Sequence, residues 1–165
     1  MAASPKKSLA LDTNLLLDLA GEKDFAHEFR EAFSGRGYSL LVPPTVVAEL
    51  AFLAALKDTP QFDLANLALK KMTGWKCLPF ILSSTELAIA LRFAARLTDS
   101  SLLPETELND GKILAQTSLA KIPLLVTSDK HLLDLDEDAL LLAFNDADLQ
   151  AVHASHPKRL LKALR

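Results

Sequence analysis

Four acids stand where a carboxylate is costly or commands a strategic end of an element: Asp12, Glu49, Asp110 and Asp129. Asp12 closes the apolar run Leu9–Leu11, and Asp129 follows the run Leu124–Val126 in the same way. Glu49 projects from an apolar helical face between Val46 and Leu53, with no Lys or Arg three or four residues away to neutralise it. Asp110 opens the helical stretch LNDGKILAQTSLA. Gathered within a few ångströms, four carboxylates repel strongly, and a hard divalent cation with its preference for oxygen ligands is the simplest means of holding them. Each acid also has a plain structural explanation. Asp12 and Asp129 suit the cap of the next helix, Asp110 suits a helix N-terminus, and Glu49 suits the edge of an apolar stripe reaching solvent.

The elements that must position these residues follow from the apolar spacing. Ser8 to Asp12 reads as a first strand, Asn14 to Ala20 as a helix ended by Gly21, and about Asp24 to Phe33 as a second helix with Phe25, Phe29 and Phe33 as its core stripe. Ser39 to Val42 is a strand. Pro43 and Pro44 lead into the helix TVVAELAFLAALK, and Gln61 to Met72 is another helix. Trp75 to Leu82 is a strand that Pro79 confines to an edge. Ser84 or Thr85 caps a helix running to about Leu97, whose Arg92 and Arg96 form a basic pair on a solvated face. Thr98 to Glu107 is a turn-rich loop suited to the substrate side, with Asp99, Glu105 and Glu107 as its solvated charges. Pro123 to Thr127 is a core strand and Ala139 to Phe144 a last strand. The remainder, 145–165, reads as two short helices parted at His156-Pro157, with Lys158, Arg159, Lys162 and Arg165 making it basic. Strands interleaved with helices predict a three-layer α/β/α sandwich with a mainly parallel sheet. In it, the strands ending at Asp12 and Asp129 lie side by side at a switch point.

Length and composition narrow the function. A chain of 165 residues, half of them apolar and 24% charged, predicts one domain over 1–165, with a core at about 8–144 and a basic helical extension beyond. The lone Cys77 excludes an internal disulfide and a multi-cysteine zinc site and reads as core filler. The start MAASPKKS resembles neither a secretory signal nor a membrane span, which predicts a cytoplasmic protein with no membrane partner. The net charge of -3 speaks against a broad nucleic-acid face. Setting the four acids aside leaves 17 Asp+Glu against 18 Lys+Arg, so the rest of the surface is near neutral. No GxGxxG, P-loop or GxSxG motif is present, His153 and His156 lack partners at metal-ligand spacing, and His131 reads as a surface or packing residue.

LDTN at 11–14, VVAEL at 46–50, NDGKILAQTSLA at 109–120 and PLLVTSDKHL at 123–132 together resemble the four acidic motifs of the PIN-domain ribonucleases, in the family's order and over roughly residues 8–144. The resemblance implies a VapC-like metal-dependent endoribonuclease in which Asp12, Glu49, Asp110 and Asp129 are the catalytic acids and hold Mg2+ or Mn2+. It further implies that Asn14 orients Asp12, and that Thr127 or Ser128 contacts a metal-bound water or the scissile phosphate. RNA would be the substrate, an antitoxin protein the partner of a toxin, and a homodimer the assembly. Two residues depart from the family pattern: Gly111 and Lys112 follow the third acid where small apolar residues are usual, so Gly111 is expected to loosen the helix start. The alternative is a degenerate PIN-like module that binds RNA or protein without turnover. A receiver-like phosphoryl acceptor is disfavoured by the lack of a second acid beside Asp12.

Overall fold

The computed structural model describes residues 7–165. The expectation about the N-terminal segment therefore concerns residues that, apart from Lys7 and Ser8, lie outside the described ones. Five parallel strands form one sheet in the order β3-β2-β1-β4-β5: β1 (Ser8–Leu11), β2 (Ser39–Val42), β3 (Cys77–Pro79), β4 (Leu124–Val126) and β5 (His153–Ser155). Helices cover both faces, giving the three-layer α/β/α sandwich. The central strands β1 and β4 are almost wholly buried, which is why their sequences are continuous apolar runs instead of alternating ones. β3 lies at one edge, where the missing N–H of Pro79 costs no ladder bond.

Chain order makes β1 the pivot. The chain moves outward from β1 to β2 and β3, then returns across to β4 on the other side of β1. The crevice above β1 and β4 is thus the switch point at which open parallel sheets place their sites. Four helices frame it: α1 (Thr13–Ala20), α3 (Pro44–Ala55), α5 (Ser84–Asp99) and α6 (Leu108–Leu119). Pro44 starts α3 with a preset φ and no donor to waste. A capping box between Ser83 and Glu86 starts α5, one residue before the predicted cap. Buried Gln116 of α6 clamps the first turn of α3, accepting from the Thr45 N–H at 3.0 Å and donating to its hydroxyl at 2.7 Å. That clamp fixes the helix bearing Glu49 against the helix bearing Asp110.

Three further helices, α2 (Asp24–Gly35), α4 (Phe62–Lys71) and α7 (Lys130–Leu133), fall where the sequence places helical segments. The second half of the chain departs from its sequence reading in two places. Ala139 to Phe144 is not a strand but part of α8 (Glu137–Asp146). The Asp136 carboxylate accepts from the Ala139 N–H, Glu137 and Asp138 occupy the first turn, and Leu140 and Phe144 point inward four residues apart. The last strand is instead β5, within the segment read as two short helices. It pairs with β4, and only α9 (Pro157–Ala163) of those two helices forms.

Candidate metal centre

All four acids singled out in the sequence come to the carboxyl end of the sheet, each carried by a different element. Asp12 is the residue after β1. Its N–H extends the ladder to the Val126 carbonyl at 3.0 Å, and its side chain is only 2% exposed. The Thr127 hydroxyl, one residue past β4, donates to Asp12 Oδ2 at 2.6 Å and accepts from the Asp129 N–H at 3.0 Å. Asp129 caps α7 by accepting from the His131 N–H. Glu49, in the second turn of α3, accepts from the Thr13 hydroxyl at 2.8 Å. Neighbouring threonines, both buried, therefore hold two of the acids by short hydrogen bonds.

Asp110 is nearly as deeply buried as Asp12, and one of its oxygens has no partner. It lies in the first turn of α6, is 6% exposed, and its Oδ2 is sealed from solvent with no hydrogen-bond partner. Burial, followed by the charges of Asp12, Asp129 and Glu107 and a hydrogen-bonding contact with Glu107, pushes its carboxyl up to about 9. A helix dipole favours an acid there by only about 0.3–1 kcal/mol, too little to offset such an environment. Asp12 is pushed up to about 7, again by burial first. The bonds from Thr127 and the Thr13 backbone oppose the shift, and the charges of Glu49 and Asp129 add to it. Glu49 is likewise raised by burial, against hydrogen bonds from Thr13 and Asn109. A buried carboxylate left without a partner among other carboxylates is the arrangement a hard cation relieves, and every donor is oxygen. The residues present fit such an ion.

One member of this cluster escapes the sequence reading. Glu107 is not a solvated loop charge: oxygens of Glu107, Asp110 and Asp129 all lie within 4.8 Å of one another. A signal was present in the spacing, since residues three apart at a helix start share a face. His131, read as a surface or packing residue, has Nε2 3.7 Å from Glu107.

The remaining residues assigned to the site are placed differently from one another. Thr127 is engaged between Asp12 and Asp129, as described. The Ser128 hydroxyl donates to Asp18 at 3.1 Å, an acid that also pairs with Lys23. Asn14 is half-buried on α1, and among the described residues Asp12 takes its side-chain bond from Thr127, not from Asn14. Lys112 is half-buried, and Cys77 is buried in β3 with its thiol pushed up to about 12, which removes it as a nucleophile.

Gly111 does not loosen the helix start; it permits close packing. A Cβ there would stand 2.8 Å from Ala94 Cα and 2.9 Å from Ala94 Cβ. The missing side chain lets α6 approach α5 closely and sets the depth of Asp110.

The family model described as PIN domain matches residues 9–138, a span that carries all four motifs. The chain belongs to the PIN-domain family. Solved structures share this PIN fold across nearly their whole length at low identity. VapBC2 from Rickettsia felis, bound to a DNA fragment from its promoter, has a TM-score of 0.59 at 14% identity, covering 90% of this chain and 98% of that one. VapBC-1 from nontypeable Haemophilus influenzae has a TM-score of 0.56 at 12% identity, covering 92% and 98%. FitAcB from Neisseria gonorrhoeae has a TM-score of 0.52 at 16% identity, covering 90% and 97%. No curated protein sequence matches the chain.

Proposed function

We propose that this PIN domain is a metal-dependent endoribonuclease acting as the toxin of a toxin-antitoxin pair. The observation that carries the reading is the Asp110 carboxylate, buried with one oxygen unpartnered among other acids. Asp12, Glu49, Asp110 and Asp129 would hold Mg2+ or Mn2+. Such an ion, when bound, acidifies a coordinated water and stabilises charge developing on a phosphodiester. Left to themselves the carboxylates repel an RNA backbone, so substrate approach is coupled to cation binding. Thr127 holds Asp12 and Thr13 holds Glu49, so that both acids are oriented before the ion arrives. Asp12 and Asp110, whose carboxyls are raised to about 7 and 9, would hold the ion in their deprotonated form, which makes its binding pH-dependent. Water would be the attacking group in this reading; Cys77, buried with its thiol pushed up to about 12, is not available as a nucleophile.

Partner proteins are supported by the surface. Phe52 on α3 is 64% exposed and Ile81, beyond β3, is 93% exposed, an apolar display suited to an antitoxin or a second copy of the chain. The structural neighbours named VapBC and FitAcB support the antitoxin reading. Among the described residues no helix is long and apolar enough to cross a membrane.

The test is cleavage of RNA by purified protein with Mg2+ or Mn2+. Cleavage should vanish with chelator and in Asp12→Asn and Asp110→Asn, while circular dichroism stays native. Undiminished cleavage by both variants refutes the assignment. Mn2+ binding by calorimetry without any cleavage would instead favour the non-catalytic binding module.

A further inference from the structure

We propose that Glu107 is a fifth carboxylate ligand of this centre, joining Asp110 and Asp129 on the cation. The inference rests on the metal-centre reading above and adds a residue to it. A single 3-10 turn, Glu105–Glu107, leads directly into α6, so Glu107 and Asp110 are successive positions on one face. The three oxygens offered by Glu107, Asp110 and Asp129 span no more than 4.8 Å, comparable with the roughly 4 Å between opposite ligands of one small divalent cation.

A tight acidic group alone is common on protein surfaces; Asp110 distinguishes this one. Its residue is 94% buried by the same 6% exposure, and Oδ2 has neither solvent nor a donor. Carboxylate oxygens this close to one another repel unless a cation stands between them. No protein cation does so. Among the described residues the ion pairs of Lys and Arg engage Asp18 and Glu31, and the His131 ring reaches Glu107 only at 3.7 Å, beyond hydrogen-bond length.

Calorimetric titration of the full chain with Mn2+ tests the role without RNA. Glu107→Gln should weaken Mn2+ binding about tenfold or more, whereas Glu105→Gln, on the exposed side of the same turn, should bind as the unaltered protein does. Melting curves supply a second readout. In chelator at pH 8, Glu107→Gln should melt above the unaltered protein because one repelling charge is gone, yet gain less from added Mn2+. A purely structural Glu107 gives the opposite result, a lower midpoint in chelator, and overturns the proposal. So does Mn2+ affinity equal to that of the unaltered protein. Failure of the unaltered protein to bind Mn2+ overturns the metal centre itself and this ligand with it.

Discussion

The Thr127 hydroxyl reaches across from the end of β4 to Asp12 at the end of β1, 2.6 Å from Oδ2 and 115 residues away in sequence. The same oxygen accepts from the Asp129 N–H. One side chain thereby sets the rotamer of one acid and the backbone of another, and both orientations depend on the pairing of β1 with β4. Replacing it with the isosteric valine keeps the packing and removes both bonds. Thr127→Val should cost roughly 2 kcal/mol of stability, the usual loss for a hydrogen bond to a charged group. It should also lower Mn2+ affinity or RNA cleavage by about 10–100-fold, the usual penalty for removing the support of a metal ligand. Urea unfolding and Mn2+ titration measure the two effects separately. A variant that loses stability but binds Mn2+ unchanged would make Thr127 a strand-pairing residue only.

The raised carboxyls set the pH dependence of the metal-free protein. Asp12 and Asp110 start from 3.8 when unfolded and stand at about 7 and about 9 when folded. Between those values the folded state holds more protons than the unfolded one, so stability falls as pH rises. The contribution is fully present below about pH 4 and is lost as pH passes through 7 and then 9. In chelator, the melting temperature should decline from pH 5 to pH 9. Asp110→Asn should flatten the upper part of that decline, and Mn2+ should raise the midpoint most at high pH, where no proton competes. Parallel profiles for Asp110→Asn and the unaltered protein would show that Asp110 is not strained by its surroundings.

What was legible in the sequence follows from where the energy is concentrated. The strands β1 and β4 are buried on both faces, so LAL and LLV are unbroken apolar runs, and an acid directly after each stands out. Glu49 was legible because no basic neighbour excused it. The stretch ALLLAF misled because Leu141 and Leu142, 52% and 59% exposed, fill the polar side of a helix with leucine and hide its period. The better signal was the cap, Asp136 followed by two acids. β5 is three residues with a histidine at one end, and only its partner β4 makes it a strand. Glu107 was missed for a related reason: its role depends on the 3-10 turn that carries it toward Asp110, and in one dimension that turn looks like any charged loop.

Gly111 offers a sharper probe of how the fold sets the site, because helix propensity and packing pull in opposite directions. In a solvent-facing helix position, Gly→Ala gains about 1 kcal/mol. Here the new methyl would meet Ala94 Cα at 2.8 Å and Cβ at 2.9 Å, with Leu103 Cδ1 at 3.5 Å. The nearest of these is backbone of α5, which no rotamer change can clear. Overpacking of this kind costs about 1–3 kcal/mol, and α6 can relieve it only by moving away from α5. Asp110, the preceding residue, moves with it. Gly111→Ala should therefore lower the melting temperature despite its better propensity, and should weaken Mn2+ binding although it touches no carboxylate. If the variant melts higher and binds Mn2+ normally, α5 and α6 have room to spare, and the depth of Asp110 is set by something other than their close approach.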